Sequence, residues 1–170
     1  MLSNIQILQI KNAIKRVLHV PGNYTGGILE MAIVADYGMS KEELSENVKQ
    51  IADALKRQDE TFRNVRLNLI KWVSDECIIK EVSSLTVLQM GRGLEDYDAY
   101  AEAPGKEEKS VDELFRQLKL FYARSKVVLL LTERQHAILD ESKVKEYLNP
   151  FLKRKLIILE KGNEKRLPIL

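Results

Sequence analysis

The sequence predicts an α/β fold: a mostly parallel central sheet with one antiparallel edge strand and helices on both faces. Three observations carry this. Strand-like apolar runs alternate with stretches whose apolar residues recur at helical spacing, the order that strand–helix–strand units impose. Two of those runs, "ILEMAIVAD" (28–36) and "KVVLLLTE" (126–133), are almost continuously apolar, as strands buried on both faces are. Two further runs are separated only by "SDE" (74–76), too short for a parallel return, so they must pair antiparallel.

The elements follow in order. Residues 3–18 place Ile7, Ile10, Ile14, Val17 and Leu18 on one helical face after a Ser3 cap, and His19-Val20-Pro21-Gly22 ends that helix. "PGNYTGG" is a loop leading to the first strand. From Ser40 the period changes: Leu44, Val48, Ile51, Ala52 and Leu55 form one apolar stripe, predicting a helix from 41 to about 59. "NVRLNLIKWV" alternates, with Val65, Leu67 and Leu69 on one side and Arg66, Asn68 and Ile70 on the other. "CIIKEVSSLTVLQM" reads as its hairpin partner. Residues 91–109, with three Gly and a Pro, read as the longest loop. Ser110 opens a helix through Val111, Leu114, Phe115, Leu118 and Phe121. After the buried strand, Asp140 or Ser142 caps a helix with Val144, Tyr147, Leu148, Phe151 and Leu152 inward. "KLIILEKG" is the last strand. The whole reads as one domain of a three-layer, Rossmann-like kind: an N-terminal helix (1–20), a sheet-and-helix core (27–160) and a tail (161–170). The N-terminal helix is expected to cover the sheet face that lacks a helix after the last strand.

Bulk numbers narrow the function. The chain of 170 residues carries 27 Lys+Arg against 25 Asp+Glu, a net charge of +2, which favours neither nucleic acid nor an anionic membrane. No apolar stretch approaches the about 18 residues of a membrane span, and the N-terminus lacks the features of a secretory signal. Cys77, the single cysteine, excludes an internal disulfide and a Cys-based zinc site and fits a reducing compartment. It reads as a small apolar residue, and a cytoplasmic protein is expected.

Chemistry-bearing residues gather after the strands, where open α/β sheets bind ligands. "IVADYGMSKEEL" (33–44) closes an apolar strand on Asp36, turns through Gly38 and reaches Ser40. "VVLLLTERQ" closes on Thr132 and Glu133. Asp36, Ser40 and Glu133 form a candidate site for a hard cation, Mg²⁺ or Mn²⁺, which takes carboxylates, hydroxyls and retained water. Each also has a plainer role. Ser40 with Glu43, and Ser110 with Glu113, spell capping boxes. Asp36 can accept from loop N–H groups, and Glu133 can pair with Arg134. "GRG" (91–93) and "GNYTGG" (22–27) are not dinucleotide fingerprints, and no P-loop is present. His136 lies three residues beyond Glu133. "LEDYDAYAE" gathers Glu95, Asp96, Tyr97, Asp98, Tyr100 and Glu102 in the long loop. Trp72 and Tyr24 read as packing residues.

The element order and the "AIVADYGMS" turn resemble the von Willebrand factor type A domain over residues 27–160. That family's first strand ends in an Asp-x-Ser-x-Ser turn, its metal-ion-dependent adhesion site, and a later strand ends in Thr-Asp-Gly. Asp36 and Ser40 match the first and last turn positions; Gly38 replaces the middle Ser, Glu133 the later Asp and Arg134 the Gly. Ser110 is the nearest counterpart of a family Thr. The resemblance implies a degenerate metal site. It also implies a protein-interaction module that recognises another protein through Gly38 and the acidic loop (Glu95, Asp96, Tyr97, Asp98), where an acidic partner side chain completes any bound metal.

Two other classes stand beside this one. A metal-assisted hydrolase or phosphotransferase would use Asp36 and Glu133 as ligands and His136 as acid or base. A structural scaffold would assemble, as a homodimer for example, through the N-terminal helix or a sheet edge. No nucleophile–base pair or cofactor loop is legible, which favours binding over catalysis.

Overall fold

A computed structural model describes residues 2–19, 28–57, 64–75, 77–100, 108–122, 124–133 and 135–160. Its first half contains α1 (Asn4–His19), β1 (Ile28–Asp36), α2 (Lys41–Arg57), β2 (Asn64–Trp72), β3 (Ile78–Ser83), α3 (Leu85–Gln89) and α4 (Tyr97–Tyr100). Then come β4 (Glu108–Ser110), α5 (Asp112–Phe121), β5 (Val127–Thr132), β6 (Gln135–Ala137), α6 (Glu141–Tyr147), α7 (Pro150–Lys155) and β7 (Leu156–Glu160).

Five strands form one sheet in the order β3-β2-β1-β5-β7. Every neighbouring pair is parallel except β2–β3, the antiparallel edge hairpin the sequence predicts. The chain leaves β1 toward β2 on one side and β5 toward β7 on the other. The strand order therefore reverses between β1 and β5, where such sheets open a crevice at their carboxyl ends.

Strand alternation divides the core into two layers. Met31, Ile33 and Ala35 of β1, Leu67 and Leu69 of β2, and Leu129 and Leu131 of β5 face α1 and α2. Ala32 and Val34, Ile70 and Trp72, and Val128 and Leu130 face the other way, onto α5, α6 and α7. The α1 helix lies on the α2 layer against β5, with Ile10 and Ile14 fully buried. The Leu2 N–H ties its start to α2 by donating to Gln50 Oε1 at 2.9 Å. The α1 helix thus shares this layer with α2 and with the short α3, whose Leu88 is also buried in it, the placement expected for the N-terminal helix. Among the described residues, no helix is long and apolar enough to cross a membrane.

Several elements differ from the sequence reading, each for a local reason. The strand expected to run through Met90 stops at Ser83, because Ser84 caps a short helix by accepting from the Val87 N–H at 3.2 Å. The 91–109 stretch contains the one-turn α4 and the start of the short β4, which pairs in parallel with β6. The single helix expected through Leu152 breaks into α6 and α7, because Asn149 caps a new start and Pro150 takes its first turn. Phe151 consequently points outward, 77% exposed. Asp140, not Ser142, caps α6. Ser110 makes no capping box: its hydroxyl donates to Asp112 Oδ1 at 3.2 Å, and Glu113 binds Arg116 and Gln117 instead. The Arg116 bonds hold the Glu113 carboxyl down at about 2. Cys77 is exposed in the β2–β3 turn rather than packed as a small apolar residue.

Candidate functional site

Two polar clusters occupy the carboxyl ends of the strands, one on each side of the sheet. The first lies at the reversal point. Asp36, last residue of β1, is completely buried. Its Oδ1 accepts from the Gly38 N–H at 2.8 Å, and its Oδ2 accepts from the Thr132 hydroxyl at 2.8 Å. Thr132 ends β5 and is also fully buried. A buried carboxylate is tolerable only with such partners. The Asp36 backbone carbonyl accepts from the Met39 N–H at 3.0 Å, so the same residue closes the turn from both its main chain and its side chain.

Ser40 is exposed and caps α2, its Oγ accepting from the Glu43 N–H at 3.2 Å. Glu133 follows Thr132 directly and is exposed. Of the sequence-predicted set, Asp36 thus ends β1, Glu133 follows the last residue of the neighbouring β5, and Ser40 stands at the start of α2. Arg134, Tyr24 and the tail lie outside the described residues, as do the side chains of His19 and His136.

The second cluster lies on the α2 side. Lys71, one residue before the end of β2, is only 4% exposed. Its Nζ donates to Glu81 Oε2 of β3 at 2.6 Å and to Asp96 Oδ2 at 3.0 Å. Asp96 Oδ1 accepts from the Tyr37 hydroxyl at 2.6 Å. The Tyr97 hydroxyl donates to the Met39 carbonyl, and its ring stands 5.2 Å from that of Tyr37. Lys41 and Asp98 form an outer ion pair at 3.5 Å. Residues 91–100 thus make a strap that folds back over the β1–α2 turn and the end of β2. Of the loop residues singled out from sequence, Asp96 and Tyr97 turn inward, whereas Glu95 and Asp98 stay exposed. Lys71, Tyr37 and Glu81 were not anticipated. The available signal was Lys71 itself, in phase with Leu67 and Leu69 on a face that should be apolar.

Two glycines shape the strap, with φ of 74° at Gly91 and 109° at Gly93. A Cβ on Gly93 would meet Leu88 Cδ2 at 2.9 Å and Leu69 Cδ2 at 3.4 Å. Gly93→Ala should therefore cost about 1–3 kcal/mol through strained backbone and a displaced leucine. A thermal melt of the variant checks this.

Proton affinities follow from the same contacts. Burial pushes the Tyr37 hydroxyl well above its usual range, and its bond to Asp96 pushes it further. For Lys71, burial disfavours the charge, but the two carboxylates outweigh burial and raise it above 10.5. For Asp96, burial acts upward, but the bonds from Tyr37 and Lys71 outweigh it and hold the carboxyl below its ordinary value of 3.8. A depressed carboxyl contributes stability that is present above the unfolded value, near pH 4, and lost as pH falls through the folded value. The raised Lys71 contributes below about pH 10.4 and loses that contribution only as pH rises through its folded value. The strap should therefore hold between about pH 5 and 9 and loosen first in acid. A ¹³C-carboxyl titration should place the Asp96 midpoint below the ordinary range, with the Tyr97–Tyr100 amide shifts moving alongside it.

No family model, no curated protein and no solved structure matches this chain.

Proposed function

We propose that this chain is a protein-interaction module on a von Willebrand A-type scaffold, binding another protein at the rim formed by the β1–α2 turn and the 91–100 strap. One observation carries the reading: the strap is seated on the rim by Asp96 and Tyr97, leaving Glu95, Asp98 and the half-exposed Tyr100 at the surface. A loop held by a rigid sheet, with acids and an aromatic ring outward, suits recognition of another chain.

The strand-end residues fit this role better than that of a metal centre. Both Asp36 oxygens already accept hydrogen bonds, Ser40 serves its helix start, and Gly38 brings no hydroxyl. Among the described residues, no three His, Cys, Asp or Glu side chains converge to hold an ion. Asp36 is then the residue that sets the turn's shape, and Mg²⁺ or Mn²⁺ is not required for binding. The lone exposed Cys77 suits a reducing environment and supports a cytoplasmic location for the module.

A photo-cross-linking residue at Tyr100, compared with one at Arg124 before β5, tests the reading in cells. Adducts with another protein from position 100 and not from 124 are expected. Equal adducts from both positions, or adducts only between copies of this chain, would overturn it in favour of a scaffold.

A further inference from the structure

We propose that Asp96 fills, from within the chain, the place of a partner's carboxylate: an acidic segment of the partner enters beside Lys71 and Tyr37 as the Tyr97–Tyr100 turn swings out. This rests on the reading that the rim binds protein, and it adds the chemistry of the partner.

The argument starts with Lys71. A cation only 4% exposed needs carboxylate neighbours, and it has two of different kinds. Glu81 belongs to β3 and is fixed by the hairpin. Asp96 precedes a one-turn helix in which no residue is buried. Leu94, just upstream, is 4% exposed and packs into the α2-side core, so it anchors the base of the strap. Beyond Leu94 the turn is seated by the bonds of Asp96 and Tyr97, by the Tyr97 ring against Tyr37 and the α2-side core, and by the outer pair of Asp98 with Lys41. A hinge between this anchored leucine and a one-turn helix without buried residues would free Asp96 while leaving the core in place.

Swinging the turn out leaves three groups facing the gap: the Lys71 ammonium, the Tyr37 hydroxyl and the Met39 carbonyl. Together they offer a cation and a donor to a carboxylate, and an acceptor to a neighbouring hydroxyl. Lys41, on the outer side, offers a second cation. The matching ligand is an acidic residue followed by a tyrosine and a second acid, which is the Asp96-Tyr97-Asp98 order of the strap itself. The tethered strap competes at an effective concentration of the millimolar order, so a partner gains access only by adding contacts elsewhere on the rim.

The test uses the peptide GLEDYDAY, residues 93–100, labelled and read by fluorescence anisotropy against the full chain. The Asp96→Ala protein should bind it at least about 10-fold more tightly than wild type, because the internal competitor is gone. Changing the peptide's aspartate in the fourth position to asparagine should weaken that binding by about 10-fold or more. Adding Tyr37→Phe to the Asp96→Ala protein should weaken it further. Asp96→Asn, which keeps the side-chain volume, replaces Asp96→Ala if the alanine variant does not melt cooperatively. Equal binding to wild type and variant, no binding to either, or indifference to the peptide's aspartate overturns the proposal. A negative peptide result beside a positive cross-link from residue 100 removes this inference alone, whereas absence of that cross-link removes both.

Discussion

Asp36→Ala should lower the stability of this protein by about 3–5 kcal/mol, because it removes two hydrogen bonds to a charged group at once. The half-buried Gly38 N–H and the fully buried Thr132 hydroxyl both lose the acceptor that holds them. Asp36→Asn retains one acceptor oxygen and should cost roughly half as much. Thr132→Val should cost about 1–3 kcal/mol by depriving the carboxylate of a donor. The double variant should lose less than the sum, since the two side chains share one bond. Denaturant melts of the four proteins measure all of this. The same melts separate the turn-forming role from a metal site. Metal at 100 times its dissociation constant would add about 2.7 kcal/mol to the wild type and nothing to Asp36→Ala. The expected outcome is a wild-type midpoint that millimolar Mg²⁺ or Mn²⁺ leaves in place.

Replacing Ile10 and Ile14 together with alanine should be the more damaging change. Each side chain is fully buried in the core layer shared by α1, α2 and the sheet. Truncations of this type cost about 2–5 kcal/mol each, so the pair should approach the whole stability of a typical domain, about 5–15 kcal/mol. Deleting residues 1–20 should act in the same direction and more strongly, by uncovering β5. The expected product keeps helical far-ultraviolet dichroism but loses near-ultraviolet structure and a cooperative melt. A truncated chain that stays soluble and melts sharply would show that α1 is an arm for another molecule rather than part of the core.

How much of this was legible beforehand varied with the length of each signal. The strands 28–36, 64–72 and 127–132 and the helix from Lys41 were readable because long apolar patterns have one good solution. The α3 helix was not, since Leu85, Thr86 and Val87 favour a strand and only the Ser84 cap decides otherwise. Three-residue strands such as β4 and β6 carry no period at all. At the site, Asp36 could be placed at a strand end. Its role could not be settled, because the deciding contact is with Thr132, 96 positions away. The Lys71 cluster was hidden for the same reason: its partners come from β3 and from the strap, and sequence spacing does not reveal that they meet.

Asp36 and Tyr37 are consecutive residues, one bound to Thr132 and the other to Asp96, on opposite sides of the sheet. Their Cα atoms stand about 3.8 Å apart. One strand end therefore pins both clusters, the carboxylate to the tip of β5 and the neighbouring phenol to the strap. A substitution that bends the backbone at this corner would disturb both at once.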